Sequence, residues 1–444
     1  MNNLGKSFGK FLVIWSGELI SAIGSGLTAF GLGFYVFQET GKASATALII
    51  LLGFLPSLLL SAIAGVLADR YDRRLLMVIG NSLSVVGLGF ILVCMLRGEA
   101  QLWQICVGVT ISSMFASLLE PAYKATITDL LTEEQYTKAS GLVQVAGSSR
   151  YLISPLIAGF LLTVSDIKLL LVIDICTFFV SVASTLFVRR NLASKKCEQA
   201  KSFIQEFKDG WSAVSETRGV LVLVIMGSVI TFSLGFIQTL STPMILAFSN
   251  SSALGTCETI SASGMLVTSV IIGILSIKRG YVKILSVSLF FAGIFIATFG
   301  LRENIVLISI SGFLFFAMLP FANTGLDYLI RTNIENSVQG RAWGLIGVIS
   351  QFGYIIAYAV SGVLADYVFT PLLVDRGVLA DSVGKITGTG SGRGTGFLIV
   401  IAGMLLCVTS LVLYNLKSVR KLEQLKSLAT IQHSPKDRTP AAES

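Results

Sequence analysis

Apolar residues fall along this chain in long unbroken runs, not in the stripe of a surface helix or the alternation of a strand. Twelve runs stand out, near 9–37, 44–67, 75–96, 103–128, 138–163, 167–189, 219–248, 255–277, 283–301, 304–330, 343–369 and 396–416. A helix needs about 20 mostly apolar residues to cross the hydrocarbon core of a bilayer. The pattern therefore predicts an all-α integral membrane protein with twelve transmembrane helices. Between the sixth and seventh runs the chain turns polar over NLASKKCEQAKSFIQEFKDGWSAVSETRG, which divides the spans six and six. Phe203, Phe207, Trp211 and Val214 recur there at helical spacing while Lys201, Glu206, Lys208 and Asp209 face elsewhere, which predicts an amphipathic helix on the membrane surface. The predicted organisation is a six-helix bundle over 1–189, a linker over 190–218, a second six-helix bundle over 219–416 and a tail over 417–444.

Composition agrees with that picture: 53% of residues are hydrophobic and 13% charged, with a mean hydropathy of +0.80, far too apolar for a soluble domain of this length. The first run is too long for a cleavable signal peptide, has only Lys6 and Lys10 near its start, and is followed by no soluble domain. Lysine and arginine set the expected orientation, because short cytoplasmic loops retain positive charge. With the amino terminus inside, the inner segments hold 24 of them and the outer segments 7, leaving Lys124 and Arg150 within spans. Both termini are thus expected in the cytoplasm, and the net charge of +8 reflects topology, not nucleic-acid binding.

Six scattered cysteines, at 94, 106, 176, 197, 257 and 407, have neither metal-site nor disulfide spacing. The single histidine, His433, lies in the tail, and no phosphate-binding Gly-x-x-x-x-Gly-Lys-Ser/Thr sequence occurs. No enzyme, cofactor or metal is expected. The glycine-rich GTGSGRGTG before the last span predicts a flexible outer loop.

The halves echo each other. Lys138-Ala139-Ser140-Gly141 matches Arg341-Ala342-Trp343-Gly344 at an offset of 203, which also carries Leu131 onto Ile334 and Gly159 onto Gly362. Two six-helix halves related in this way suit a duplicated transporter with its site between them.

The decapeptide GVLADRYDRR, residues 65–74, places five charges where the second span ends. Gly65 allows a close backbone approach, Asp69 can face a helix amino terminus, and Arg70, Arg73 and Arg74 hold the loop inside and can pair with carboxylates. This resembles the signature loop of the major facilitator superfamily, Gly-x-Leu-Ala-Asp-Arg-x-Gly-Arg-Arg, with Asp72 replacing the glycine. Through GFLPSLLLSAIAGVLADRYDRR, EPAYKATITDLLTEEQYTKASGL, VIDICTFFVS, SGVLADYVFTPLL and GTGSGRGTG the chain is similar to the drug-exporting branch that includes bacterial macrolide efflux proteins. The resemblance implies a bacterial cytoplasmic-membrane protein that works as a monomer and alternates access about a central site. It would export a hydrophobic or amphipathic small molecule in exchange for protons. A siderophore or natural-product exporter is the alternative within transport, and a non-transporting sensor or scaffold the alternative outside it. The resemblance also implies a conformational latch formed by Asp69, Arg73 and Asp129.

Ionisable groups inside spans are costly and are functional candidates by default. Glu18 lies about seven residues into the first span, roughly 10 Å deep, where a carboxylate is suited either to carry a proton or to bond a neighbouring helix. Glu120 and Arg150 lie at roughly 14 and 18 Å on consecutive spans and are expected to pair across the cavity. Arg150 would then supply the charge that many exporters of the family carry on the fourth span, where this chain has Ser112. Asp174 of VIDICTFF is a candidate for packing or proton coupling, Asp327 is expected near Arg331, and Lys124 competes for Glu120. Among the aromatic residues, Phe30, Phe34, Tyr35, Tyr123, Phe236, Phe315, Phe316, Tyr354 and Tyr358 occur on spans that line the cavity in the family. A subset is expected to form an apolar, π-rich pocket.

Overall fold

Helices account for most of the described residues in a computed structural model that describes residues 2–189, 211–212, 214–274, 279–335, 338–374 and 377–423. For a few helical residues, Asp69 and Arg341 among them, it describes the backbone alone. Phe203 and Phe207 of the linker, Cys197 and His433 lie outside the described residues. Among the described residues, twelve helices are long and apolar enough to cross a membrane. Spans 1 to 6 are Phe8–Thr40, Ala43–Ser61, Arg73–Arg97, Leu102–Leu130, Lys138–Val164 and Ile167–Val188. Spans 7 to 12 are Arg218–Leu246, Ser251–Ile274, Tyr281–Leu301, Ile305–Asn333, Ala342–Leu373 and Arg393–Asn415. The second helix itself runs on to Arg70.

Where the bounds depart from the hydropathy runs, proline and capping explain the difference. Span 4 breaks between Ala116 and Leu119, because the ring of Pro121 crowds the carbonyl four residues earlier, at Ser117. Span 5 breaks at Ile153, just before the Ser154-Pro155 pair. Near the end of span 11 the helix widens into a π turn over Ala365–Phe369 ahead of Pro371. Span 8 starts at Ser251, before the predicted 255, because the Asn250 side chain accepts from the Ala253 N–H at 2.9 Å and caps a polar first turn.

Each half is a six-helix bundle, and the two repeat one another. Span 1 packs on spans 5 and 6, span 2 on span 4, and span 3 on spans 4 and 6; the same pairings recur six spans later. With no hydrophobic drive between helices in lipid, close backbone approach matters more than side-chain bulk. Span 3 accordingly meets span 4 at Gly87 and Gly108, and span 9 meets span 12 at Gly293 and Gly403, so that a Cβ at any of these would strike the facing backbone or side chain.

An even number of spans puts the start of span 1 and the end of span 12 on one face, here the terminal face. The loop expected to be flexible, before span 12, lies on the opposite face and is instead pinned. Gly388, Gly390 and Gly392 take positive φ, and the chain between them feeds Arg393, 1% exposed, into the bundle. Its Nη2 donates to the carbonyls of Gly300 at 3.0 Å and Leu301 at 2.9 Å.

Candidate transport site and gates

Groups from both halves converge between the bundles. Phe54 of span 2 sits against Tyr354 and Tyr358 of span 11, with ring centroids at 5.6 and 5.7 Å. The Tyr358 hydroxyl donates to Gln238 Oε1 of span 7 at 2.6 Å. Arg150 of span 5 is exposed and makes no hydrogen bond or ion pair among the described residues, yet lies close enough to act electrostatically on Asp174 and Tyr358.

Two carboxylates of the first half are held by neutral partners. Glu18 accepts from the Ser181 hydroxyl at 2.9 Å, and Ser181 in turn accepts from Asn81 Nδ2 at 3.0 Å, tying spans 1, 6 and 3 together. Asp174, 1% exposed, is approached by the hydroxyls of Ser25 and Thr177, each at 3.4 Å. Gly24 leaves room for it, since a Cβ there would stand 2.8 Å from its carboxylate oxygen.

The structure does not join Glu120 to Arg150. Glu120 instead pairs with Lys124 one turn on, at 2.6 Å, with side chains 76% and 66% exposed. The break before Leu119 swings this turn outward, so the glutamate faces the lysine on its own helix. Several aromatic expectations are also corrected. Tyr123 is buried in the terminal-face core of the first half with Phe11 and Ile14. Phe236 and Phe315 are core residues of the second half, and Phe30 packs on cores of both halves. Phe34 lines a cleft of about 520 Å³ at the opposite face, with Leu162, Leu246 and Asn250. Of the predicted pocket aromatics, Tyr354 and Tyr358 are the ones paired across the halves.

At the terminal face, Arg73 reaches Asp129 on span 4 with Nη1 at 2.7 Å and also donates to the Ala125 carbonyl at 3.0 Å. Asp72 caps span 3, accepting from the Arg74 N–H at 3.0 Å, which is why a side chain serves where the family's loop has glycine. Arg74 is buried and Arg70 exposed. Gly65 was expected to permit a close approach, but a Cβ there would meet nothing within 4 Å. The Asp69 side chain lies outside what is described.

Five hydrogen bonds join the halves among the described residues, and none lies at the terminal face. Asp366, in the π turn of span 11, accepts from the N–H groups of Ala43 at 3.0 Å and Ser44 at 2.8 Å, and from the Ser44 hydroxyl at 2.6 Å. One carboxylate thus satisfies the free start of span 2. The helices meet so closely that a Cβ on Gly362 would stand 2.5 Å from the Ser44 Cα. Spans 5 and 8 form a second seam, where Ser251 donates to the Gly159 carbonyl at 3.2 Å and Thr259 to the Leu152 carbonyl at 3.0 Å.

Sequence reasoning missed Asp366 and Glu258. For the first a signal existed: Gly-Val-Leu-Ala-Asp occurs at 65–69 and again at 362–366, ending spans 2 and 11. Glu258 lies in the polar beginning of span 8, SSALGTCETISAS, which reads as the edge of a loop.

Known proteins share this architecture. The sequence profile of the Major Facilitator Superfamily matches residues 14–256. Macrolide efflux protein A of Streptococcus pyogenes is 27% identical over 369 residues, spanning 80% of this chain and 89% of that protein. The nucleoside transporter NupG superposes with a TM-score of 0.71 at 13% identity, covering 92% of this chain and 100% of that one. A bacterial homologue of the iron transporter ferroportin, described as inward-facing, gives 0.68 at 12% identity, with 92% and 99% covered.

Proposed function

This chain belongs to the Major Facilitator Superfamily, and within it we propose a drug-type exporter: a secondary transporter that moves hydrophobic or amphipathic small molecules, macrolides among them, out of a bacterial cell in exchange for protons. The proposed arrangement is two bundles, 1–189 and 219–416, joined by the linker over 190–218 and followed by the tail over 417–444, acting as a monomer in the cytoplasmic membrane. The bias of lysine and arginine toward the terminal face supports a cytoplasmic location for both termini.

The observation that carries this reading is a pair of carboxylates held inside the first bundle, with an unbonded arginine acting on one of them. Asp174 and Glu18 are held in the span interior by hydroxyl partners, and Arg150 has no bonded partner among the described residues. An ionised carboxylate in such a place costs several kcal/mol unless paired. A group held by neutral donors is suited to take up and release a proton. Protonating Asp174 would remove the charge that Arg150 acts on, and deprotonating it would restore that attraction. The aromatic wall of Phe54, Tyr354 and Tyr358 gives a bulky apolar substrate a surface that both halves build. The 27% identity with a protein named for macrolide efflux supports the substrate class.

Where the halves touch supports a reading of alternating access. Among the described residues the five bonds between them lie at or above mid-span on the opposite face, which suits a carrier closed to the outside. For the opposite state the family resemblance implies a latch built from Asp69, Arg73 and Asp129 at the terminal face; in this state the Arg73–Asp129 pair is already formed within the first half.

The test is accumulation of labelled macrolides in a bacterial host lacking its own pumps, with and without a protonophore. Expression should lower accumulation, the protonophore should abolish the difference, and Glu18→Gln or Asp174→Asn should do the same. Export that persists at full strength in the presence of the protonophore would sink the antiport mechanism.

A further inference from the structure

Glu258 lies on span 8 about 10 Å along the helix from Ser251 at the opposite face. Among the described residues its hydrogen-bond partner is the Ser241 hydroxyl of span 7, which donates at 3.4 Å. The groups around it are otherwise uncharged: on its own helix the Cys257 thiol is its titratable neighbour, and span 10 brings Ser309 against that thiol. Arg150, the nearby cation of span 5, bears on Asp174 and Tyr358 instead. Among the described residues no ion pair includes Glu258.

Its place in the seam gives this carboxylate a role. Ser251, Gly255 and Thr259 recur every four residues and so form the stripe of span 8 that presses on span 5. Ser251 and Thr259 make two of the bonds that hold the halves together, and a Cβ on Gly255 would strike the Pro155 carbonyl. Glu258 precedes Thr259 directly and is one turn from Gly255, so it emerges at the edge of that stripe. In this scheme the shut seam stands between the half-buried carboxylate and the opposite face. Parting the seam breaks the Ser251 and Thr259 bonds and admits water along the same edge.

We propose that Glu258 is a proton-binding site of the second half, loaded from the opposite face when the span 5–span 8 seam parts, carried as the neutral acid while the seam closes, and returned to water on the terminal face once that side opens. The step is a proton transfer from hydronium in the opened cleft to a carboxylate oxygen, leaving water and a neutral carboxyl group. The seam shuts on the neutral form because sealing an unpaired carboxylate into the span interior costs several kcal/mol. This gives the second half its own proton carrier beside Asp174 and Glu18 of the first. It rests on the antiport reading, and its test separates the two.

The full chain is reconstituted in liposomes, with labelled erythromycin as probe, as wild type, Glu258→Gln and Glu258→Asp. Movement driven by a pH gradient is compared with exchange of the probe at equal pH on both sides. Glu258→Gln should cut gradient-driven movement by about tenfold or more and leave exchange close to wild type, while Glu258→Asp should retain part of the gradient response. An undiminished gradient response in Glu258→Gln overturns the proposal. Equal loss of both activities in Glu258→Gln overturns it too, because the residue then serves substrate binding or structure. If wild type itself ignores the gradient, the antiport reading fails, and the infrared band of protonated carboxyl groups in the same liposomes decides the site independently of transport. That band should lose a titrating component in Glu258→Gln, and an unaltered band refutes a proton on Glu258.

Discussion

Replacing Asp366 with asparagine should open the opposite face, and the size of the effect can be worked from three bonds. The carboxylate accepts from two backbone N–H groups and one hydroxyl at 2.6 to 3.0 Å. Bonds to a charged acceptor contribute about 1.5–3 kcal/mol each, and a negative charge at a helix start adds about 0.3–1 kcal/mol more. Asp366 is half-buried, so the low ends apply. Asparagine keeps one acceptor oxygen and turns an amide N–H toward a backbone N–H, which removes at least one bond together with the charge. A loss of about 1.5–3 kcal/mol follows, falling wholly on the closed state because an open state leaves residue 366 in water. That shifts the closed-to-open ratio by roughly 10- to 100-fold. Spin labels on Thr163→Cys and Asn250→Cys, which flank the cleft from different halves, report the separation by pulsed electron resonance. The Asp366→Asn protein should gain a longer-distance population, with Ser44→Ala intermediate because it deletes a single bond. Identical distance distributions in wild type and Asp366→Asn would refute the idea that this carboxylate holds the face shut.

The remaining expectations separate gate, scaffold and surface. Gly255→Ala should part the span 5–span 8 seam, because its methyl group has no room against the Pro155 carbonyl; the same spin labels should lengthen and transport should fall. Arg393→Ala should lower stability by about 2 kcal/mol or more, since it strips donors from the buried carbonyls of Gly300 and Leu301; thermal unfolding in detergent checks this, and the protein that remains folded should still transport. Glu120→Gln should leave both stability and the pH dependence of transport unchanged, because its pair with Lys124 is exposed and worth well under about 1 kcal/mol; a flattened pH profile would restore Glu120 to the proton path.

The fold was legible because bilayer spans are written in length and hydropathy, which twelve runs supply without help from tertiary contacts. What hydropathy misses is where a span bends. Pro121, Pro155 and Pro371 were visible in the sequence, yet their consequence is geometric: the break ahead of Pro121 turns Glu120 onto the exposed side of span 4, beside Lys124. Depth alone had placed Glu120 near Arg150, because a count of residues gives height in the membrane and says nothing of azimuth around the helix. The same gap explains Tyr123 and Phe236, which lie on cavity-lining spans but on faces turned into their own bundles.

The gate was partly legible, and the missing part concerns polar residues at the ends of spans. There, an aspartate or glutamate costs little in sequence terms and so passes for a loop residue. Asp366 becomes informative only once span 11 is laid against span 2 and its carboxylate meets the unsatisfied N–H groups of Ala43 and Ser44. A helix start buried against another helix must find acceptors for those donors, and on this face span 11 provides them. The recurrence of Gly-Val-Leu-Ala-Asp at 362–366 was therefore a physical signal: the glycine permits the approach that the aspartate, one turn on, then secures. The same five residues at 65–69 lack that first element here, since the Gly65 surroundings are open. One copy of the pentapeptide is closed on its partner helix and the glycine of the other faces free space, the asymmetry that the proposed alternating access requires.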